Sequence, residues 1–419
     1  MNKTIPSGEI RVGVLGALRG KSFAVTAKAS GLTLAAICDN FKHRLDEVCN
    51  ELNVPGYEDF DEFIRQDFDA VVIAAPFHLH GTFAIKALEA GKHVLTETST
   101  NITLREGARI YELVERTGLC YMLAENYCYT RFNQEMKRLY ELGEIGEVRY
   151  AEGQYNHPIE MHEHLPIAPG VRHWRHQEPP TYYNTHALAP LMYITGTMPV
   201  AVSGAIIPQP EPTYYKPGYV ILVKMDNGAI FRLYGNVAGH DCAYSLHGTC
   251  GAMETVRGHG YFGPEEIRVW HEPWDLKPGQ QEEMRYFPRW VEHAKEADST
   301  GHGGGDFFTE LKFAEAIRTG KQPYLNAYRG ITMSNVGILA WRSAMRGGEF
   351  LPVPDLKDDS ARAEMLRDRL CPYTGVEDTI LMPENERCVR EFTPEIVAAA
   401  RVAWKKAGYT DSEIDELLK

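Results

Sequence analysis

The chain has no apolar run long enough to span a membrane, and its opening MNKTIPSGEI has no apolar signal core, so neither insertion nor secretion is expected. It also has no basic excess. Its 44 Lys and Arg stand against 57 Asp and Glu, a net charge of -13, which argues against nucleic acid or an anionic membrane as a partner. The eight cysteines contain no CxxC pair and lie mostly among apolar or aromatic residues; they read as reduced core thiols, and a cytoplasmic setting is expected. No repeat, low-complexity tract or HExxH spacing occurs. No metal is therefore expected, although a histidine-rich stretch leaves a zinc site as an option. What remains is a globular composition, 44% apolar and 24% charged, in 419 residues, enough for two domains.

The organising stretch is IRVGVLGALRGKSFA, over 10–24. Val12, Val14 and Leu15 suit a buried parallel strand, and Gly16 suits the tight turn where a phosphate approaches the backbone before a helix begins. The spacing is not GxGxxG: Leu18 stands where the second glycine would be, between Ala17 and Arg19, and Gly20 follows. Such a turn is either a phosphate loop or an ordinary strand-to-helix turn. A helix to about Ser30 leads to LTLAAICDN, a second strand ending in Asp39. An acid there can accept hydrogen bonds from the adenosine ribose and repel a 2′-phosphate, which favours NAD, while Lys42, His43 and Arg44 keep NADP open. Alternatively, Asp39 caps the next helix. Further on, AVVIAA runs into Pro76, a helix spans 82–90 up to Gly91, and HVLTE is another strand. This alternation predicts an α/β fold with a doubly wound parallel sheet of Rossmann type, its ligand at the carboxyl ends of the strands.

From Glu147 the period becomes strand-like, through VRYAEGQYNHP, AVSGAIIP, YVILVKMDNGAIFRLYG, AYSLHGTCGAMETVRG and EEIRVWHE. These segments predict a C-terminal α+β domain with an open, mostly antiparallel sheet. DFFTELKFAEAIRTGKQP reads as a packing helix, and the helix over 327–345 as a buried one. The end of the chain, TPEIVAAARVAWKKAGYTDSEIDELLK, supplies one or two surface helices, as a cover on the sheet or a subunit contact; Trp404 reads as core.

The string AAPFHLHGTFAIKALEAGKHVLTE resembles the signature of the Gfo/Idh/MocA oxidoreductases, and the resemblance extends over about 10–355. It implies a NAD site formed by Gly16, Leu18, Arg19, Gly20, Asp39, Ala75, Pro76, His80, Glu97 and Asn126, with NADP less expected. Glu97 would lie near the nicotinamide ribose. Where that family has Lys and Pro, this chain has Thr98 and Ser99. Hydride removal from an alcohol needs a base or a stabiliser for the hydroxyl proton, so another residue must act, or the chain is no dehydrogenase. Asn126 can contact nicotinamide or substrate, or simply occupy a turn.

Six histidines (157, 162, 164, 173, 176 and 186) lie between Tyr155 and His186, together with Trp174, Arg175, Tyr182 and Tyr183. GQYNH and TYYNTHALAP resemble motifs of glycoside hydrolase family 109, a branch of the same superfamily that also lacks the lysine. The resemblance implies Tyr155, His157, Tyr183 and His186 as catalytic residues. GHGGGDFF adds His302 and Asp306, which with Trp174 and Arg175 would bind substrate. The implied reaction is hydride transfer from carbon 3 of a glycoside to NAD, loss of the carbon-2 proton, elimination of the glycosidic oxygen, addition of water and return of the hydride. A sugar or cyclitol dehydrogenase and a non-catalytic NAD(H) sensor are the alternatives. His157 can equally be a satisfied strand-end histidine, and His186 can mark a helix start capped by Thr185. The expected organisation is a NAD-binding domain over 1–126, a substrate and oligomerisation domain over 127–355 and a helical extension over 356–419. A homodimer or homotetramer is the family's habit.

Overall fold

The structure, a computed structural model, describes residues 8–157, 159–209, 216–239, 241–257, 266–290 and 292–419. Its first sheet contains β1 (Ile10–Leu15), β2 (Leu32–Cys38), β3 (Gly56–Tyr57), β4 (Ala70–Ile73), β5 (His93–Thr96) and β6 (Tyr121–Leu123). All pairs are parallel, in spatial order 3-2-1-4-5-6. Every residue of β4 and β5 is buried, as expected for strands covered on both faces by helices. Those helices include α1 (Gly20–Thr26), α2 (Lys42–Leu52), α3 (His80–Glu89) and α4 (Leu104–Thr117). The strand order reverses between β1 and β4, and this opens a crevice at their carboxyl ends.

After α5 (Arg131–Glu141) comes β7 (Tyr150–Asn156), then α6 (Thr185–Thr195). The second sheet continues with β8 (Pro199–Ile207), β9 (Gly218–Met225), β10 (Ile230–Gly235), β11 (Asp241–His247), β12 (Gly251–Thr255), β13 (Ile267–His271), β14 (Glu283–Tyr286) and β15 (Leu351–Pro352). Its order is 14-13-12-11-7-10-9-8-15. All pairs are antiparallel except β7 with β10. Helix α6 packs directly on β7, and Gly153 permits it: a Cβ there would lie 2.0 Å from the Ala187 carbonyl oxygen.

Helix α7 (Gly305–Thr319) rests against α1, and the long helix α8 (Ala327–Ala344) touches β8 on one side and α4 and β6 on the other. These two helices join the halves of the molecule. At the end of the chain, α9 (Pro394–Lys406) and α10 (Asp411–Leu417) bury a small core of their own against 161–165. None of the eight cysteines, all among the described residues, forms a disulfide, and five of them are buried.

Several boundaries differ from the sequence reading. The strand β2 stops at Cys38, so Asp39 lies just beyond it, and α1 ends at Thr26 because the chain must turn sooner into β2. The helix expected over 82–90 begins at His80, after a short turn over 77–79. Strands β14 and β15 had no periodic signal.

Candidate active site

On the cofactor side, Gly16 adopts φ +103° at the end of β1, and a Cβ there would lie 2.3 Å from the Ala74 carbonyl oxygen. Only glycine fits this turn. Asp39 is fixed by two backbone donors, Ala17 N–H to Oδ2 at 2.7 Å and Phe41 N–H to Oδ1 at 2.8 Å. It does not cap α2, whose N-cap position is Phe41. Instead it ties the glycine turn to the end of β2, at the distance along the chain where an adenosine ribose is read. Leu18 stands exposed at the apex of the turn, Gly20 opens α1, and Ala75 and Pro76 form the matching turn after β4. His80 is buried, with Nδ1 2.9 Å from the Ser99 carbonyl and Nε2 2.8 Å from the Ala75 carbonyl. Both ring nitrogens face main-chain carbonyls, the single N–H of the neutral ring can donate to one of them at a time, and His80 acts as a brace beneath these turns. The glycine cradle, the fixed carboxylate and the reversal point together fit a dinucleotide.

Arg19 spans the two domains. Its Nε donates to Glu97 Oε1 at 2.7 Å, and its other nitrogens donate to both oxygens of Asp306 at 3.0 and 2.8 Å. Asp306, at the start of α7, also accepts from Asn126 Nδ2 at 2.9 Å and lies 2.9 Å from His302 Nδ1. Burial alone would raise the Asp306 pKa, but the His302 and Arg19 contacts outweigh it and hold the carboxyl well below its ordinary range. Burial works against the charged Arg19 guanidinium, and Glu97 and Asp306 more than restore it. Asp306 and His302, expected among the substrate residues, therefore join Arg19, Glu97 and Asn126 in one network.

Beyond that network stands a cluster of rings. His186, in the first turn of α6, lies with Nδ1 2.7 Å from Glu125 Oε1 and Nε2 3.3 Å from the Tyr183 hydroxyl. Glu125 is fully buried at the end of β6. Tyr155, near the end of β7, has its ring centroid 4.5 Å from that of His186 and 5.6 Å from that of Tyr183. His157 is further out, 6.1 Å from Tyr155. Tyr127 packs 4.7 Å from His186 and 6.4 Å from His302, which links the two networks. The Tyr183 phenol is pushed above its ordinary pKa by burial and by nearby Glu97, with a hydrogen bond to Thr98 opposing. Tyr183 is therefore a neutral phenol near pH 7, with the His186 ring beside it. Thr185 does not cap α6; the N-cap position is Asn184.

Trp174 stacks on Phe77 with centroids 5.9 Å apart and planes 9° from parallel, and Arg175 lies over Trp174 at 4.4 Å. Phe77 in turn lies 6.3 Å from Tyr183, so this platform adjoins the ring cluster. The flanking histidines serve differently. Burial lowers His164, His173 and His176, the second to about 3 and the third to about 4, so all three are neutral near pH 7. His162 is exposed. Among the described residues no three metal-ligating side chains converge on one point. No role was assigned from the sequence to Glu125 or Tyr127, which were read only as the close of the cofactor domain beside Asn126, or to Phe77. For Glu125 the available signal was an acid inside the apolar stretch MLAENYCY at a strand's carboxyl end, directly before Asn126.

Comparison with known proteins matches two family models to the chain. A family model described as an oxidoreductase family with a NAD-binding Rossmann fold matches residues 10–125, and a glycosyl hydrolase 109 C-terminal domain model matches 236–361. A glycosyl hydrolase family 109 protein of Streptomyces filamentosus is 25% identical over 388 residues, covering 83% of this chain and 77% of that protein. One from Shewanella putrefaciens is 26% identical over 395 residues, covering 83% of this chain and 84% of the other. Among solved structures, levoglucosan dehydrogenase in complex with NADH superposes with a TM-score of 0.71 at 22% identity, covering 83% of this chain and all of that one. Myo-inositol 2-dehydrogenase of Lactobacillus plantarum superposes with a TM-score of 0.61 at 19% identity, again over 83% of this chain and 100% of the other. At such identities the structural likeness establishes the fold. The chain thus pairs a NAD-binding Rossmann domain of the Gfo/Idh/MocA type over 10–125 with a C-terminal domain of the glycosyl hydrolase 109 type over 236–361.

Proposed function

We propose that the protein oxidises a glycoside at carbon 3 and couples this to redox-neutral cleavage of the glycosidic bond. The carrying observation is the chain Glu125, His186, Tyr183, which ends beside Thr98, where the wider family has its lysine. Bound NAD would supply a hydride acceptor at carbon 3 and a hydride donor later in the same cycle. Gly16, Arg19, Asp39, Pro76, Glu97 and Asn126 would hold it.

The residues of this chain then manage protons. Glu125 accepts from His186 Nδ1–H, which leaves the Nε2 lone pair facing the Tyr183 hydroxyl. As the Tyr183 oxygen takes the substrate proton, its own proton passes to Nε2 and the positive charge that forms on the ring is balanced by Glu125, in the manner of a nucleophile, histidine and acid triad. Once the imidazolium has passed that proton on to solvent, the carbon-2 hydrogen beside the carbon-3 ketone is acidic enough for the same base. The C–H electron pair forms the double bond to carbon 1, and the glycosidic C–O bond breaks. Tyr155, in contact with the His186 ring, is the group to return a proton to the departing oxygen. Trp174, stacked on Phe77, carries the Arg175 guanidinium over its ring, and the N–H groups of Arg175 would donate to sugar hydroxyls.

The test follows nitrophenol release and NADH absorbance together on a panel of nitrophenyl glycosides and free sugars, with and without added NAD. Nitrophenol without net NADH is the expected result. NADH rising in step with sugar consumed would make the protein a simple dehydrogenase, and tight NAD binding with silence in both channels would make it a sensor.

A further inference from the structure

Residues 159–177 form the wall that carries Trp174 and Arg175 to the mouth of the site, and that wall takes its apolar support from the end of the chain. Met161 and Leu165 are buried together with Ile396, Ala400, Trp404 and Ile414 in a cluster separate from the main core. Trp404 is fully buried, and its indole N–H donates to the Leu165 carbonyl at 2.7 Å. Polar ties run alongside. Val171 N–H donates to the Leu417 carbonyl at 2.9 Å, Arg390 N–H to the His176 carbonyl at 3.1 Å, and Thr374 N–H to Gln177 Oε1 at 2.9 Å. The Phe392 ring meets His176 edge-on at 5.0 Å. A connection this long orders only if something outside it supplies burial, because each residue fixed costs backbone entropy. Both matched family models stop short of these helices, the second at residue 361.

We propose that α9 and α10 are a clamp on the substrate wall. Trp404, acting through Leu165, is a positioning residue that holds Trp174 and Arg175 against Phe77, which adjoins Tyr183, and thereby sets affinity for the glycoside. This rests on the functional reading above for its substrate, but its mechanical part is independent of that reading.

The test uses full-length Trp404→Ala, Trp404→Phe and Leu417→Ala, with NAD affinity, KM, kcat and amide hydrogen exchange measured on each. For Trp404→Ala, KM should rise about ten-fold or more, while kcat and NAD affinity stay within about three-fold. Exchange over 161–177 should quicken by about ten-fold or more with β1 to β6 unchanged, and Trp404→Phe should recover most of both losses. Should Trp404→Ala fail to fold, Leu417→Ala gives the same result in milder form, centred on the Val171 amide. Faster exchange confined to 391–419, or an unmoved KM with kcat and NAD affinity falling together, overturns the clamp. If wild type turns over no glycoside, the functional reading fails, and the exchange data still decide the clamp.

Discussion

The two sides of the crevice are built from opposite materials. The cofactor side is an ionic lattice in which one arginine, Arg19, holds Glu97 of the first domain and Asp306 of the second, and Asn126 and His302 complete the ligation of Asp306. The other side, which the proposed function gives to the substrate, is aromatic: Tyr183, Tyr155 and Tyr127 pack against His186, which is backed by the buried Glu125, and Phe77 with Trp174 adjoins Tyr183. Fixed charges orient a charged cofactor and join two domains without changing state. A hydroxyl and an imidazole within one turn of helix are poised to exchange a proton. The arrangement therefore separates holding from proton transfer, and each side can be damaged alone.

The largest expected effect is on the proton side. His186→Ala should lower kcat by about 10²- to 10⁴-fold, the usual worth of a positioned acid or base, while NAD affinity stays within a few-fold of wild type. Isothermal titration with NAD beside steady-state kinetics checks it, and unchanged turnover would remove His186 from the mechanism.

Asp306→Ala attacks the lattice. Loss of one partner of a buried pair should cost about 3–5 kcal/mol of stability in denaturant titration, and it should weaken NAD binding as well. Its sign with pH follows from the depressed native pKa. The stabilisation from Asp306 is complete above its unfolded value near 3.8 and is lost as pH falls below that value through the native one. Wild type and variant should therefore converge only in strong acid; a gap that closes near neutral pH would contradict the lattice.

The smallest effect sharpens the comparison. Asp39→Ala should weaken NAD by roughly ten-fold, the worth of one or two hydrogen bonds to a charged group, and narrow the preference for NAD over NADP. The ratio of the two dissociation constants measures it. No change in either would leave Asp39 as a tie between the glycine turn and β2 and nothing more.

The first domain was legible because its strands are consecutive apolar residues bounded by turn residues such as Pro76 and Gly91. The ring cluster was legible through motif resemblance in GQYNH and TYYNTHALAP. Partnership was not legible. Periodicity marks β7 and β10 as strands but not as a parallel pair. Asp306 lies 287 positions from Arg19, so no local pattern could assign it to the cofactor side. Glu125 received no role because its partner, His186, lies 61 positions further along the chain and no local pattern joins them. The terminal helices announced an apolar stripe ending at Trp404 without saying that 161–165 would fill it.

The most direct test of the account is turnover of a glycoside deuterated at carbon 3, run once in ordinary water and once, with unlabelled glycoside, in heavy water. The account predicts that the released sugar keeps its carbon-3 deuterium, gains solvent deuterium at carbon 2 in the second experiment, and forms without accumulation of NADH. Deuterium leaving carbon 3 for free NADH, with carbon 2 unexchanged and the glycosidic bond intact, would contradict it.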